Sequence, residues 1–521
     1  MARYGFAIDN RVCIGCHACT VACKSEHEVP LGVNRTWVKY IEKGEFPNTR
    51  RSFNVQRCNH CEDAPCVEIC PVTALHTRPD GIVDFDHDRC IACKACMQAC
   101  PYDALYLDPE TQTAAKCNYC THRVDAGYEP ACVVVCPVEA IVSGDLDDPE
   151  SRISRLDREQ RVQYPKVDKG THPKLFYVGG ETAALDPAAA PPGEQYLWSG
   201  NAGEINRVAL NIIQGEAEDR ARRTYDPRSK PPTWGWMVSA YVTTKAVACG
   251  TAVFSAILYA IGAISTPLPT AAFIVTMLFL AATGALLVGD LKQPRRFLYV
   301  LLRPQWRSWL VRGAYVISAF GALVPLCWLL GLATSSRGVL MTVGVLTALA
   351  GAVGAVYTAF LLAQAKGRDY WQNPLIVVSM LADALVAGAA IMALLGLVGE
   401  APAGGGSPTS AAADTLIAMI SASRPVSSNT WLAVATGLLA VLVLAEFLPR
   451  HVNKNAELAA KLILRGPYAT WFWAGVVGVG LVLPALALAI GIPWLAAIAL
   501  LAGIACRNHV LIQAPQRVPL S

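Results

Sequence analysis

The chain has 521 residues, enough for two or three domains, and a formal net charge of +4. Apolar residues make up 53% of the chain but are concentrated after residue 232, where an acidic first part gives way to a basic second part. Basic residues are not interleaved with aromatic residues in any patch, so we expect no nucleic-acid partner. The composition predicts a polar, cysteine-rich part followed by a part embedded in a lipid bilayer.

Sixteen of the 19 cysteines lie between Cys13 and Cys136, in four sets. The third set is Cys90-x2-Cys93-x2-Cys96-x3-Cys100-Pro, the spacing with which bacterial ferredoxins bind [4Fe–4S] clusters. In that arrangement three thiolates bind one cluster and the fourth binds its neighbour. Pairing the first set with the fourth and the second with the third predicts four clusters. Their ligands form quartet I (Cys13, Cys16, Cys19, Cys136), quartet II (Cys117, Cys120, Cys132, Cys23), quartet III (Cys58, Cys61, Cys66, Cys100) and quartet IV (Cys90, Cys93, Cys96, Cys70).

Zinc is the alternative for these cysteines, since zinc sites also use C-x2-C pairs. Every set here ends in x3-Cys and three of the four are followed by proline, which favours clusters. Between the sets, 81–85 and 172–178 are predicted as strands, and 72–75, after a Cys-Pro pair, as a short helix. We therefore expect an α+β doubled ferredoxin-like iron–sulfur domain over residues 1–180, and a linker over 181–232.

The second part, residues 233–521, is predicted as an all-α eight-helix transmembrane bundle. Each apolar stretch is long enough to cross roughly 30 Å of hydrocarbon. A Gly/Ser/Pro-rich loop at 400–427 contains an apolar piece, 414–420, that is too short to span. The eight stretches are 234–263, 267–289, 309–333, 338–363, 374–398, 429–448, 468–490 and 491–507.

The distribution of positive charge predicts the orientation in the membrane. Eighteen lysines and arginines, Arg507 among them, fall on the side of the N-terminus, against Arg337 and Arg424 on the other. Positive loops stay in the cytoplasm, and the N-terminal stretch shows no apolar signal core or twin-arginine pair. We therefore expect the iron–sulfur domain and both termini on the cytoplasmic side of a prokaryotic inner membrane.

Ionisable groups inside the predicted spans are candidate functional residues, because a charge in hydrocarbon is costly. Lys245 lies eleven residues into the first span, with Tyr241 one turn earlier on the same face. Asp383 lies near the middle of the fifth span. Asp290, at the end of the second span, could instead be an interfacial salt bridge, and Glu446 and His451 could be a solvated helix end.

Two stretches carry resemblances to known families. Residues 1–180 resemble the four-cluster ferredoxin subunits of molybdenum oxidoreductases such as dimethyl-sulfoxide and polysulfide reductases, through the cysteine pattern and the run Cys-Lys-Ser-Glu-His-Glu at 23–28. Residues 234–521 resemble the NrfD/polysulfide-reductase membrane subunit, which binds quinone. The matching residues include 289–297 with Arg296, Ser308-Trp309, Glu446 to His451, and Gly466 to Tyr468.

The resemblance implies an electron-transfer and membrane-anchor subunit of a respiratory oxidoreductase. It would relay electrons through four [4Fe–4S] clusters between a separate molybdopterin subunit, carrying molybdenum or tungsten, and menaquinone or ubiquinone. Lys245, Asp290 and His451 are then expected to exchange protons with the quinone, and Asp383 to lie on a proton path. Residues expected at the quinone are Tyr241, Lys245, Asp290, Arg296, Trp309, Glu446 and His451.

Three alternatives stay open. The same relay could serve a hydrogenase or a complex of sulfur metabolism. The membrane part could be a redox-driven ion pump with Asp383 as its relay. A ferredoxin merely tethered to the membrane is a third alternative, which the intramembrane Lys245 and Asp383 disfavour.

Overall fold

The computed structural model describes residues 2–187, 189–190, 221–226, 232–396, 427–449 and 453–520. The cysteine-rich half is built on small sheets joined by short helices. Strand β1 lies at the centre of a four-stranded sheet, antiparallel to β8 and parallel to β10, and β9 pairs with the free edge of β10. The described strands are β1 (Tyr4–Asp9), β2 (Thr36–Lys43), β3 (Arg50–Arg57), β4 (Leu75–Thr77), β5 (Val83–Phe85), β6 (Tyr106–Leu107), β7 (Ala114–Ala115), β8 (Ile141–Asp145), β9 (Val162–Gln163), β10 (Leu175–Val178) and β11 (Arg222–Tyr225).

Short helices carry the third cysteine of each set. Helix α1 holds Cys19 and Cys23, and α3 holds Cys96. The expectation of a helix over 72–75 is wrong: Pro71 to Thr73 form a turn and Leu75 begins β4, so the short helix precedes the Cys-Pro pair. The described helices here are α1 (Ala18–Glu26), α2 (Pro65–Ile69), α3 (Ala95–Ala99), α4 (Thr121–Val124), α5 (Ala131–Val134), α6 (Arg152–Glu159) and α7 (Thr182–Leu185).

The segment predicted as a linker contributes to the cysteine-rich half. Strand β11, near its end, pairs antiparallel with β2, which in turn pairs with β3. Helix α7 packs against the same strands, and Asn54 donates a hydrogen bond to the carbonyl of Ala184 at 2.5 Å. The chain therefore returns across the first sheets before it enters the apolar half.

The described residues of the second half include eight long apolar helices, each long enough to cross a bilayer. Their ends lie within four residues of the predicted limits, except that the eighth continues to Gln513. The seventh begins as a π-helix, Trp471–Val482, and continues as an α-helix to Ala489. Membrane helices 1 to 8 are Trp236–Ala260, Thr270–Gly289, Trp309–Ala333, Arg337–Gln364, Leu375–Leu394, Ser428–Phe447, Trp471–Ala489 and Pro493–Gln513; shorter helices are Tyr299–Leu302 and Lys454–Leu464.

Glycines set the close helix crossings. A Cβ on Gly250 of membrane helix 1 would clash with the carbonyl oxygen of Ala384, and one on Gly388 would clash with the carbonyl oxygen of Gly250. Only hydrogen at these positions lets helices 1 and 5 approach so closely. Gly480 and Gly503 do the same for helices 7 and 8.

One hydrophobic core runs through both halves. It joins cluster cysteines and strand residues such as Phe6 to residues of membrane helices 1, 4 and 8. At the boundary, Ser308 donates to the carbonyl of Ile69 at 2.7 Å, and Gln98 donates to Thr233 at 2.5 Å and to Gln516 at 2.6 Å. The cysteine-rich half is therefore packed directly onto one end of the helical bundle.

Candidate functional site: a cysteine relay on a membrane bundle

The structure brings together the members of each predicted quartet. Quartet IV lines one cavity and quartet I lines another. In quartet III, Cys61 and Cys66 lie within electrostatic reach of Cys58 and Cys100. In quartet II, Cys23 lies within electrostatic reach of Cys117, Cys120 and Cys132.

These sites fit a multinuclear cluster. No three histidine, cysteine, aspartate or glutamate side chains in the described ranges close on one point as ligands of a single metal ion do; the cysteines instead surround spaces. Backbone N–H groups point at the sulfurs, from Ala92 to Cys90 at 3.4 Å and from Ala140 to Cys136 at 3.2 Å. Such hydrogen bonds to thiolates are a main means by which proteins tune clusters.

Side chains also contact the sulfurs. Arg57 Nη1 donates to Cys132 Sγ at 3.0 Å, and His27 Nε2 lies 3.1 Å from Cys120 Sγ. Burial lowers the pKa of His27 to about 4, and the neighbouring cation Arg35 adds to this shift. The imidazole is therefore neutral at physiological pH. Arg57 does not stand out in the sequence, because it belongs to no cysteine set, and His27 is noted there only as part of the run at 23–28.

The quartets follow one another in the order I, II, III, IV. Cys19 of quartet I is within electrostatic reach of Cys132 of quartet II. Cys117 of quartet II is similarly close to Cys58 of quartet III, and Cys66 of quartet III to Cys96 of quartet IV. Quartet I is at the outer end, where the Cys16 side chain is exposed.

Quartet IV contacts the membrane bundle through the backbone carbonyls of its cysteines and through the neighbouring residue Lys94. Trp234, just before membrane helix 1, donates its indole N–H to the carbonyl of Cys93 at 3.0 Å, and Arg296 donates to the carbonyl of Cys90 at 3.1 Å. Lys94 forms an ion pair of 2.8 Å with Asp290 and donates to its carbonyl at 3.0 Å. Arg296 and Asp290, predicted to lie at a quinone, thus contact the cysteine-rich half.

Asp290 is half enclosed between the two halves. Burial raises its pKa, and Lys94 opposes that rise. The sequence placed Asp290 among Lys292, Arg295 and Arg296, whereas its partner comes from 196 residues earlier in the chain. Spacing along the chain gives no signal for such a pair.

Lys245 is enclosed in the bundle, with 1% of its surface exposed. Its ammonium donates to Thr358 Oγ1 at 2.6 Å and to the carbonyl of Ala355 at 2.9 Å, and lies 4.3 Å from the centre of the Tyr357 ring. Tyr241 is buried one turn below. Helices 1 and 4 therefore bring together one lysine and two tyrosines. Among the described residues, no carboxylate is paired with the lysine.

A second buried polar group joins helices 5, 6 and 8. Arg507 donates to Asp383 at 2.7 Å and to Glu446 at 2.8 Å, and Tyr370 donates to the other oxygen of Glu446 at 2.8 Å. Two cavities are each lined by both Arg507 and Glu446. Arg507 is predicted to lie at the end of the eighth stretch, among the charges on the side of the N-terminus; that expectation is wrong, because helix 8 continues past Arg507 and buries it.

The remaining predicted residues do not join these groups. Trp309 stacks on Phe360 at 4.4 Å and packs beneath Arg312, at the start of membrane helix 3. His451 and the apolar piece 414–420 lie outside the described residues. The predicted quinone residues are thus divided between the boundary, the Lys245 group and the Arg507 group.

Each half of the chain contains a match to a known protein family. Residues 49–146 match the model of the 4Fe-4S dicluster domain, and residues 227–519 match that of polysulphide reductase, NrfD. The sequence is 44% identical over 190 residues to a tetrathionate reductase subunit of Salmonella typhimurium, covering 36% of this protein and 76% of that one. It is 42% identical over 189 residues to a polysulfide reductase polypeptide of Wolinella succinogenes, covering 35% and 98%.

A further relative, the arsenate respiratory reductase iron-sulfur subunit ArrB of Shewanella sp., is 34% identical over 226 residues, covering 34% of this chain and 96% of that one. These relatives correspond to about a third of the chain, whereas the NrfD match covers more than half of it. This chain is thus a multi-pass membrane protein that joins an iron–sulfur domain to a membrane domain, and it belongs to the NrfD polysulphide reductase family.

Proposed function

We propose that this protein is the electron-transfer and membrane subunit of a respiratory oxidoreductase. Four [4Fe–4S] clusters, one in each quartet, would carry single electrons between a catalytic subunit near quartet I and a quinone in the membrane half. The observation that supports this most directly is the contact of quartet IV with the bundle through Trp234, Lys94 and Arg296. A relay that ended away from the helices could not serve a membrane substrate.

We place the quinone head group beside Tyr241 and Lys245. Trp234 contacts quartet IV, and Lys245 lies eleven residues further along the same chain segment, roughly 16 Å at 1.5 Å per residue. An ammonium and a phenol can donate hydrogen bonds to quinone oxygens, and Asp290, at the polar boundary, can pass the accompanying protons. Arg296 and Trp309 would hold the boundary around the site, and His451 stays a predicted proton donor.

The Arg507 group would supply a separate route for protons. Glu446 lies at the end of membrane helix 6 and Asp383 lies more than two turns into helix 5, so Arg507 links a group near the surface to one at depth. In the reductase, this group would conduct protons to the quinone. In the pump alternative, it would drive an ion across the membrane. The positive charge on the loops beside the cysteine-rich half supports a cytoplasmic location for that half.

The cluster assignment predicts about sixteen irons per chain in protein purified without oxygen. The second part of this prediction concerns which cluster each fourth cysteine serves. Cys100→Ser should damage the cluster of quartet III, not that of quartet IV, although Cys100 follows the quartet IV cysteines in sequence. Iron analysis and electron paramagnetic resonance (EPR) would measure both. Eight irons, stoichiometric zinc, or loss of the quartet IV signal in Cys100→Ser would contradict the assignment.

The catalytic partner is predicted to be a larger subunit that carries molybdenum or tungsten bound to molybdopterin. The relatives named above are each one component of a reductase, which supports a partner of this kind. Elemental analysis of the gently solubilised native complex should find one of the two metals. A complex that contains nickel and neither of them would favour the hydrogenase alternative.

A further inference from the structure

Arg57 is a fully buried cation at the junction of quartets I and II. It is the last residue of β3, and its guanidinium lies 4.6 Å from the centre of the Phe6 ring. Its Nη1 atom donates a hydrogen bond to the sulfur of Cys132 in quartet II. The charges of Cys19 in quartet I and Cys117 in quartet II are also within its electrostatic reach.

Arg57 has no carboxylate partner among the described residues. Its Nε and Nη2 atoms are buried and have no hydrogen-bond acceptor in the part of the chain that the structure describes. A buried charge without a counter-charge is costly. The anions that could compensate the guanidinium are the cysteine thiolates of the two quartets and whatever they bind.

Lys116 repeats this arrangement at the next junction. It is fully buried directly before Cys117 of quartet II, and its ammonium donates to the carbonyls of Val83 and, at 2.8 Å, Cys117. Its charge also reaches Cys66 of quartet III. Within the described ranges it forms no ion pair, so both junctions hold a cation whose neighbouring anions are cysteines of two successive quartets.

Two other buried cations of this half are each paired with a carboxylate. Arg223, 5% exposed, is paired with Asp226 at 2.7 Å. Lys94 is paired with Asp290 at 2.8 Å. A cation already paired with a carboxylate contributes little net field, whereas an unpaired one acts at full strength over a short distance in a medium of low dielectric constant.

We propose that Arg57 and Lys116 set the reduction potentials of the clusters on either side of them, Arg57 those of quartets I and II and Lys116 those of quartets II and III. The proposal rests on the proposed function, because it requires clusters in the quartets. Adding an electron makes a cluster more negative, so a fixed cation stabilises the reduced form and raises the potential. Quartet II, which both cations reach, would be raised most, and quartet IV least.

The test is a redox titration followed by EPR on the full-length protein, comparing wild type with Arg57→Gln and Lys116→Gln. Arg57→Gln should lower the potentials of quartets I and II, and Lys116→Gln those of II and III. At a fixed ambient potential the oxidised-to-reduced ratio of each affected cluster should rise at least tenfold, equivalent to 59 mV for a one-electron couple. Quartet IV should change by less than twofold in either variant.

Two controls separate charge from packing. Arg57→Lys keeps the charge and should change the ratios less than Arg57→Gln does. Arg223→Gln removes another buried arginine, one that a carboxylate neutralises, and should leave all four potentials unchanged.

Iron content distinguishes failure of this inference from failure of the proposed function. Wild-type protein with far fewer than sixteen irons would contradict the clusters themselves. Full iron content with unmoved potentials, or with all four potentials moved equally, would overturn the role of the two cations. If Arg57→Gln fails to assemble clusters, Lys116→Gln decides the matter. If neither variant assembles, the cations serve cluster insertion and the proposal is wrong.

Discussion

Lys245→Met is expected to lower quinone-linked turnover at least tenfold, which corresponds to about 1.4 kcal/mol in the activation barrier. Methionine is unbranched and one atom shorter than lysine, and it cannot donate a hydrogen bond to a quinone oxygen or carry a proton. Electron transfer from the catalytic partner to an artificial acceptor should stay normal, because the quartets do not contact Lys245. Steady-state assays with a short-chain quinone and with the artificial acceptor measure the two rates separately.

The stability of the Lys245→Met variant makes this test informative. Since no described carboxylate is paired with Lys245, its removal leaves no opposite charge unpaired, and the variant should fold as well as wild type. Thr251→Val is a matched control, because Thr251 is fully buried on the same helix and donates only to the carbonyl of Val247. Normal quinone-linked turnover in Lys245→Met would place the quinone elsewhere, and the cavity beside Glu446 would become the first alternative.

Asp290→Asn should reduce the same activity tenfold for a related reason. The substitution keeps the shape of the side chain but removes the proton-accepting carboxylate and weakens the contact with Lys94. If Asp290 acts only as an ion pair across the boundary, Lys94→Met will have an effect of equal size. If it also carries protons, Asp290→Asn will be the more severe of the two variants.

The cysteine-rich half was predictable because its determinants are local. Within a set most cysteines are three to five residues apart along the chain, and the ferredoxin spacing indicates which sulfurs can share a site, although the fourth ligand of each quartet comes from another set. The eight helices were equally predictable, since each must be apolar over its own length. By contrast, the short helix expected at 72–75 lies instead at Pro65–Ile69. A helix of five residues is too short to show a helical repeat of apolar residues in the sequence.

The residues that connect the parts could not be predicted from local patterns. Lys94 and Asp290 look like ordinary charges, and only the docking of the two halves pairs them. Arg57 and Lys116 show no pattern in the sequence that predicts their burial, and the contact of Arg57 with Cys132 joins residues 75 positions apart. Arg507 was expected beyond the membrane helix, because the last turns of helix 8 contain polar residues. The end of the apolar stretch therefore does not mark the end of the helix.

Arg507→Met is expected to destabilise the membrane half by about 3–5 kcal/mol, the usual cost of removing one partner from a buried ion pair. Arg507 is 4% exposed and holds two carboxylates from two other helices, Asp383 and Glu446. Without the guanidinium both acids would remain in a site of low dielectric constant with only Tyr370 donating to one of them. Thermal unfolding in detergent, followed by the fraction that stays monodisperse, measures the loss.

A triple variant, Asp383→Asn with Glu446→Gln and Arg507→Met, separates stability from function. Because it removes all three charges together, it leaves none unpaired and should recover most of the stability lost in Arg507→Met. If it is stable and loses quinone-linked turnover while electron transfer to an artificial acceptor persists, the group carries protons. If it is stable and fully active, Arg507 only fastens helices 5, 6 and 8 together. A triple variant as unstable as Arg507→Met would show that hydrogen-bond geometry, and not unpaired charge, dominates the energy of the group.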